Sequence, residues 1–397
     1  MEYYNTINDS YLDRSKRPSA VRELRVQALD HWENAVSELT GSINTSNPPT
    51  VSIGLQNGLR RSGSFVLDDP DGEFSPGRDS DIWYNRKVRI ISRISDEGTG
   101  YSFSEGVFVV KSAQPQENRI LVQLCDKFGM LNGETGTGRA GTAFTTKIAD
   151  GTIYVAALIR ELLARPLGNG LPIDPTPPII DPYFERTALY HDITLSAGQY
   201  YGDVLTQLAD MYGADVYYDR DGRLNFIRRA TYSMPSWYEH TGYVYTFEEG
   251  DILEDRGATE LWQFDGINIV TVCAETAEGV IVSRTVKNTN PRSPLDINSV
   301  GERWGDEPIT YISAGAGGDT EEKCRQYGEY ILLKNTRNTV TEELTVLYMP
   351  HFDVDQVVRR HDEDYLIQSI DTDLSACTSR IRLVNTQFLP DNIQMEV

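Results

Sequence analysis

The chain has 397 residues, with 37 Lys and Arg against 59 Asp and Glu and a formal charge of -22. Affinity for phosphate backbones comes from basic side chains that release counterions, so this balance argues against tight nucleic-acid binding. The acidic surface suits simple solubility, or a passage through which DNA moves without sticking.

With 39% hydrophobic residues, 22 Tyr, 12 Phe and 5 Trp spread along its length, the chain reads as globular and long enough for two or three domains. Cys125, Cys273, Cys324 and Cys377 stand dozens of residues apart, which is neither zinc-ribbon nor CxxC spacing, and they read as buried thiols. Met1 to Arg25 has no apolar core segment, and no window approaches the ~20 apolar residues of a membrane span. Folding in a reducing cytoplasm follows.

In chain order, Val21 to Leu39 supports two readings. Val21, Leu24, Ala28, Trp32, Ala35 and Leu39 recur at helical spacing, while Leu24, Val26 and Ala28 alternate as in a strand. Short β-branched or alternating runs follow at Val51–Leu55, Gly63–Leu67, Val88–Ile94, Gly106–Ser112 and Arg119–Leu124. Turn clusters separate them: Asn47-Pro48-Pro49, Asp71-Gly72 and Ser75-Pro76-Gly77. This is the pattern of a small barrel or sandwich.

The middle changes character. Thr152 to Ala164 is an amphipathic helix stopped before Pro166, and Pro172 to Pro182 is a stiff loop. Tyr200 to Tyr212 is a second helix, with Gly213 where a left-handed cap is wanted. Asp215–Tyr218, the turn Asp219-Arg220-Asp221-Gly222 and Arg223–Ile227 make a β-hairpin.

Strands return at Gly242–Phe247, Ile267–Ala274 and Gly279–Thr285. Asp319 followed by Glu322 is a capping-box pattern that opens a helix to about Leu333, and Thr339–Leu347 resumes as strand. The last pair, Tyr365–Ile370 and Arg380–Val384, parallels Val107–Ser112 and Arg119–Leu124 in order and spacing. The expected fold is therefore mainly β, with two related small β-barrel domains flanking a helix-containing α/β domain. Its expected domains are 1–125, 126–230 and 231–397.

Motifs for chemistry are weak. Gly136-Thr137-Gly138-Arg139-Ala140-Gly141 spells GxGxxG without the preceding strand and following helix that would aim amides at a pyrophosphate, so a surface loop is the better reading. Asp69–Gly72 and Asp219–Gly222 imitate calcium loops but lack the first ligand and the bidentate Glu, so both read as turns. His31, His191, His240, His351 and His361 show no metal spacing, and no GxSxG elbow exists for a triad. No residue is assigned a catalytic, cofactor or metal role, and no enzyme activity is expected.

The segment Gly63 to Ile91 with its Asp-Gly-Glu-Phe-Ser-Pro core resembles the first domain of bacteriophage tail hub proteins, the baseplate or tail-tip hubs of long-tailed phages. Gly202–Leu208 with Tyr217–Ile227 resembles their smaller domain. Asp319–Leu333, Thr341–Tyr348, Pro350–Asp355 and Asp364–Ile370 resemble their closing barrel. The resemblance implies a structural virion protein made in the host cytoplasm. It would be a homotrimeric hub that closes the distal end of the tail tube, adapts sixfold to threefold symmetry and gates DNA ejection.

Its implied partners are a distal tail or tube protein ring, the tape-measure protein, and tip or fibre proteins. The chain ends soon after the second barrel, so a fused fibre, lysozyme or peptidase domain is not expected. Gly63–Leu67 and Thr341–Tyr348 are candidate edge strands for contact between subunits, with pairing inside one barrel as the alternative. Two other functions compete. Trp237, Tyr238 and Trp262 could stack on sugars in a carbohydrate- or receptor-binding tail protein, and a carboxylate pair could serve a cell-wall glycan hydrolase.

Overall fold

A computed structural model describes residues 17–395 apart from 18–19, 48, 75–76, 78–79, 84, 97, 136–145, 150–152, 167–169, 190–192, 197, 229–244, 261–266, 276–279, 292–294, 299–309, 315–319, 337–339 and 386–392. The first section forms strands β1 (Val21–Leu29), β2 (Ala35–Glu38), β3 (Thr50–Gly54), β4 (Arg61–Asp68), β5 (Lys87–Asp96), β6 (Thr99–Gln116) and β7 (Arg119–Asp126). The middle carries β8 (Thr146–Ala149), helix α1 (Val155–Ala164), β9 (Ile179–Ile180), β10 (Ile193–Leu195), helix α2 (Tyr201–Tyr212), β11 (Ala214–Tyr218) and β12 (Leu224–Arg228). The remainder holds β13 (Tyr245–Thr246), β14 (Ile252–Glu260), β15 (Ile269–Glu275), β16 (Ile281–Asn288), β17 (Thr310–Ala314), helix α3 (Glu321–Thr336), β18 (Val340–Leu347), β19 (Val357–Arg360), β20 (Glu363–Asp373), β21 (Thr378–Asn385) and β22 (Ile393–Met395). The molecule is mainly β, with a helix-containing middle.

Val21 to Leu39 forms strands, which settles the ambiguous stretch. Val26, Ala28 and Leu29 are buried, whereas Trp32 is 58% exposed and cannot serve the core face that a helix would require. The chain reverses at Asp30–Glu33, where Glu33 takes the left-handed φ of 66°. The Asp30 carboxylate accepts hydrogen bonds from both the backbone and the side chain of Asn34.

Thirteen strands form one sheet, along the path β14-β18-β21-β20-β3-β4-β7-β6-β5-β1-β2, with β19 also on β20 and β13 on β19. The first and last sections thus share a single hydrogen-bonded surface. They meet where β3 pairs antiparallel with β20, Ile53 opposite Ile370 and Val51 opposite Thr372. One apolar core serves both: Phe65, Leu67, Val88 and Val122 pack in the same cluster as Leu344, Val346, Ile367 and Ile381.

The middle has its own core, in which α1 contributes Leu158, Ile159 and Leu162 and α2 contributes Val204, Leu205 and Leu208. Val109, Phe128 and Leu131 extend that core towards the first section. Gly213 closes α2 with a φ of 57°, the left-handed geometry its lack of a Cβ permits. Strands β17, β15, β16 and β22 form a separate sheet, and α3 packs Cys324, Tyr327 and Leu332 against its Val270, Val272 and Val286.

The candidate edges Gly63–Leu67 and Thr341–Tyr348 are not edges. Strand β4 is bonded on both sides, to β3 and β7, and β18 lies between β14 and β21. Both segments are alternating and apolar because they are central, with cores to fill. The path itself ends instead at β14 and at the four-residue β2.

Candidate functional site: two buried ionic junctions

The densest polar chemistry among the described residues lies at two places where the β11–β12 hairpin of the middle section meets its neighbours. The hairpin turn, Asp219–Gly222, is held by the Asp219 carboxylate, which accepts from the backbone N–H of Asp221 and Arg223 and from the Asn225 amide. Gly222 has a φ of 72°, and a Cβ there would stand 2.8 Å from the Val107 Cβ. The turn is therefore pressed directly against β6, a closeness only glycine allows.

On one side of the turn, the Lys127 ammonium is fully buried. It donates to Gly222 O at 2.7 Å, Thr176 Oγ1 at 2.9 Å and Glu33 Oε1 at 2.5 Å, and pairs with Asp174 Oδ1 at 2.8 Å. Lys87, also buried, donates to Glu33 at 3.1 Å and to His31 O at 2.9 Å. The Tyr218 hydroxyl donates to Asp174 Oδ2 at 2.8 Å. Burial by itself would raise the carboxyls of Glu33 and Asp174, yet the two ammonium groups hold both below the ordinary range. Burial and the Lys127 charge push the Lys87 ammonium down. Two cations and two anions balance, joining the β1–β2 turn, β5, the end of β7 and the middle section.

On the other side, Arg220 reaches the loop between β18 and β19. Its guanidinium donates to the carbonyls of Pro350 and Phe352 and, through Nε at 3.2 Å, to Asp353 Oδ2. Arg61 of β4 grips the same Asp353 oxygen, and Ser104 of β6 donates to Arg220 O at 2.8 Å. Burial would raise Asp353, but Arg61 and Arg220 hold it low. Beside this grip the Tyr348 hydroxyl bonds Glu105 and lies 2.9 Å from Ser92 Oγ, and burial keeps the Glu105 carboxyl raised despite nearby Arg220. One residue of the middle section, through its guanidinium and its backbone carbonyl, thereby fastens both outer sections.

Below it, Asp126 Oδ2 accepts the backbone N–H of Arg60 and of Arg61, each at 2.8 Å, and Oδ1 accepts from Phe128 at 2.9 Å. Burial outweighs these bonds and lifts its carboxyl to about 6. The Arg60 guanidinium stacks 3.6 Å over the Tyr217 ring. His351 sits among Tyr245 and Phe352, and burial drives its imidazole down to about 3.

These groups bind one another, and the chemistry they support is mechanical: fixed hydrogen-bonded charge pairs that hold chain sections in register. An open cleft of about 290 Å³ lies next to Tyr348, lined among others by Leu24, Ile43, Ile94 and Leu374, with Glu23 the one carboxylate among the described residues on its wall.

The sequence-level candidates scatter. The GxGxxG stretch at 136–141, His191, His240, Trp237, Tyr238 and Trp262 lie outside the described residues. Asp69–Gly72 forms a tight turn, and Asp69 Oδ1 accepts from Phe74 N at 3.3 Å. Cys125 and Cys324 are buried, Cys273 and Cys377 half-buried, and all four are free thiols. Among the described residues, no group of three or more His, Cys, Asp and Glu side chains is placed to hold a metal. Lys87, Lys127, Arg61, Arg220 and Asp353 carry no local signal, because each lies in a segment that reads as an ordinary turn or strand start. Arg220 in particular looks like a solvated turn residue.

Neither a family model nor any curated protein matches the sequence. Solved structures do match. The tail protein from Neisseria meningitidis MC58 aligns with a TM-score of 0.58 at 13% identity, covering 93% of this chain and 98% of that one. The 43 kDa tail protein of prophage MuSo2 from Shewanella oneidensis aligns with a TM-score of 0.54 at 13% identity, covering 92% and 99%. At that identity the likeness is one of fold, and it runs essentially end to end in both cases. The resemblance to phage tail proteins read from the sequence thus has a counterpart in the fold shared with these two tail proteins.

Proposed function

We propose that this chain is a structural protein of a phage tail, a homotrimeric hub at the distal end of the tail tube, with no catalytic role. The observation that carries the reading is the fold shared over more than nine-tenths of this chain with two tail proteins. In this reading 1–125, 126–230 and 231–397 are the building units, and the two outer ones supply successive segments of a ring. Three copies then offer six similar segments to a sixfold tube and a threefold face to the tip. The tape-measure protein, a tube-end ring and tip or fibre proteins are its neighbours in the virion, and DNA passes once the tip opens.

The buried junctions support a load-bearing part better than an enzyme. They spend their charged groups on one another, which suits a part that holds chain sections in register. Electron microscopy of the purified chain and of tails labelled with antibodies against it tests the reading. Threefold rings and label at the tail tip are expected, whereas label elsewhere in the particle, or hydrolysis of cell-wall glycan by the pure chain, overturns it.

A further inference from the structure

The junction around Lys127 holds the parts of a bond-forming site. Lys127 directly follows β7, Asp174 lies in the loop after α1 and Glu33 in the β1–β2 turn, so three distant segments converge. The Lys127 and Asp174 side chains are 0% exposed and that of Glu33 is 10% exposed. With Lys127 Nζ 2.8 Å from Asp174 Oδ1, the carboxyl carbon stands one bond beyond, close to the roughly 3–3.5 Å of a near-attack geometry.

Each group that an amide condensation needs is in place. Lys127 Nζ is a nucleophile once it loses a proton, and Asp174 Cγ is the electrophile. Glu33 Oε1, 2.5 Å from Nζ, is placed to carry a proton from the nitrogen to the leaving oxygen. The Tyr218 hydroxyl donates to Asp174 Oδ2 at 2.8 Å, where negative charge builds when the carbon becomes tetrahedral. Thr176 fixes both carboxyls: its backbone N–H donates to Asp174 Oδ1 and its hydroxyl to Glu33 Oε1, each at 2.9 Å. The four cysteines are free thiols, so a staple of this kind would be the covalent one that needs no oxidant.

We propose that Lys127 and Asp174 join in an isopeptide bond between Nζ and Cγ, with Glu33 as proton carrier and Tyr218 as oxyanion donor. One proton passes from Nζ to Oδ1, giving an amine and a carboxylic acid. Nζ then attacks Cγ, and Oδ2 takes the negative charge. Glu33 accepts a second proton from the nitrogen and delivers it to the Oδ1 hydroxyl, which leaves as water while the Cγ–Oδ2 double bond re-forms. An ammonium and a carboxylate thus become one amide and one water, and Glu33 ends as it began. Because the two ammonium groups hold Asp174 ionised, the neutral pair is a minor state and the bond forms slowly. Until it forms, Asp174 titrates as a free carboxylate. The reaction consumes one cation and one anion and leaves Lys87 opposite Glu33, so the buried site stays balanced.

Intact-mass spectrometry of the denatured full chain, followed by tryptic peptide mapping, tests this. A fraction lighter by one water is expected, growing on incubation at neutral pH, with the peptides that carry Lys127 and Asp174 recovered as one branched species. Lys127→Arg and Asp174→Ala are expected to keep their full mass. Glu33→Gln is expected to slow bond formation at least about tenfold, with near-UV circular dichroism unchanged. Wild-type chain that keeps its full mass throughout overturns the proposal, whether or not the variants fold. Water loss without a branched peptide, as from a cyclised Asp71-Gly72, overturns it as well, and so does a branch through Lys87. Bond formation in Glu33→Gln at the wild-type rate overturns the role given to Glu33.

Discussion

Arg220 concentrates more inter-section contacts than any neighbour in the junction. Removing its guanidinium leaves two carbonyls and one side of Asp353 without a donor in a buried site, so Arg220→Ala should cost about 3 kcal/mol. Lysine cannot rescue it, since one ammonium does not reproduce a planar fork aimed at three oxygens. Denaturant midpoints of the two variants check this, and a full rescue by Arg220→Lys would sink the fork argument. Asp126 gives a pH signature. Its folded carboxyl lies at about 6 against an ordinary 3.8, so between those values the folded state binds a proton that the unfolded state releases. That contribution favours the folded state as pH falls from 7 towards 4, against the opposing loss from buried His351, whose folded imidazole at about 3 leaves the proton to the unfolded state below about 6.5. Below that, protonation of Glu33, Asp174 and Asp353, all held low, removes stability again. In Asp126→Asn the opposing loss from His351 stands alone, so stability should fall more steeply between pH 7 and 4 than in the wild type, and identical pH slopes for wild type and variant in urea unfolding would refute the assignment.

Among the elements, β1 offers the clearest contrast between competing periodicities. Leu29 is fully buried and Trp32 is 58% exposed, so Leu29→Ala should cost about 2–4 kcal/mol and Trp32→Ala under about 1 kcal/mol. A helix would have placed Trp32 on the same face as Ala28, so comparable losses for both would overturn the strand. Local elements were largely legible in the sequence for local reasons. Gly213 marks the end of α2, Pro166 follows α1, and Asp219–Gly222 marks the turn between β11 and β12. The partners of each strand were not legible. The alternation of Gly63–Leu67 reports burial on one face and says nothing about whether a neighbour lies on each side, which is why two central strands read as edges. Lys127 and Arg220 stayed invisible for a related reason: their counter-charges Asp174, Glu33 and Asp353 are distant in sequence, and only tertiary structure brings them within bonding distance.

For the whole molecule, the joint between β3 and β20 makes the outer sections one structural unit. Amides of β3 should therefore exchange with solvent only through global unfolding, at the same free energy as those of β20, and not through a separate opening of either section. Native-state hydrogen exchange measures this directly. Markedly faster exchange in β20 than in β3 would mean that the two sections unfold independently. The β15–β16 sheet with α3 has its own small core and is expected to open at lower free energy.

The same joint sets a timetable for biosynthesis. Thr50–Gly54 finds its outer neighbour only when Ser369–Asp373 leaves the ribosome, more than three hundred residues later. At about 5–20 residues per second, the nascent amino-terminal section carries a raw strand border for roughly 15–60 seconds. A ribosome stalled before residue 369 would leave that border permanently open to the next polypeptide on the same messenger.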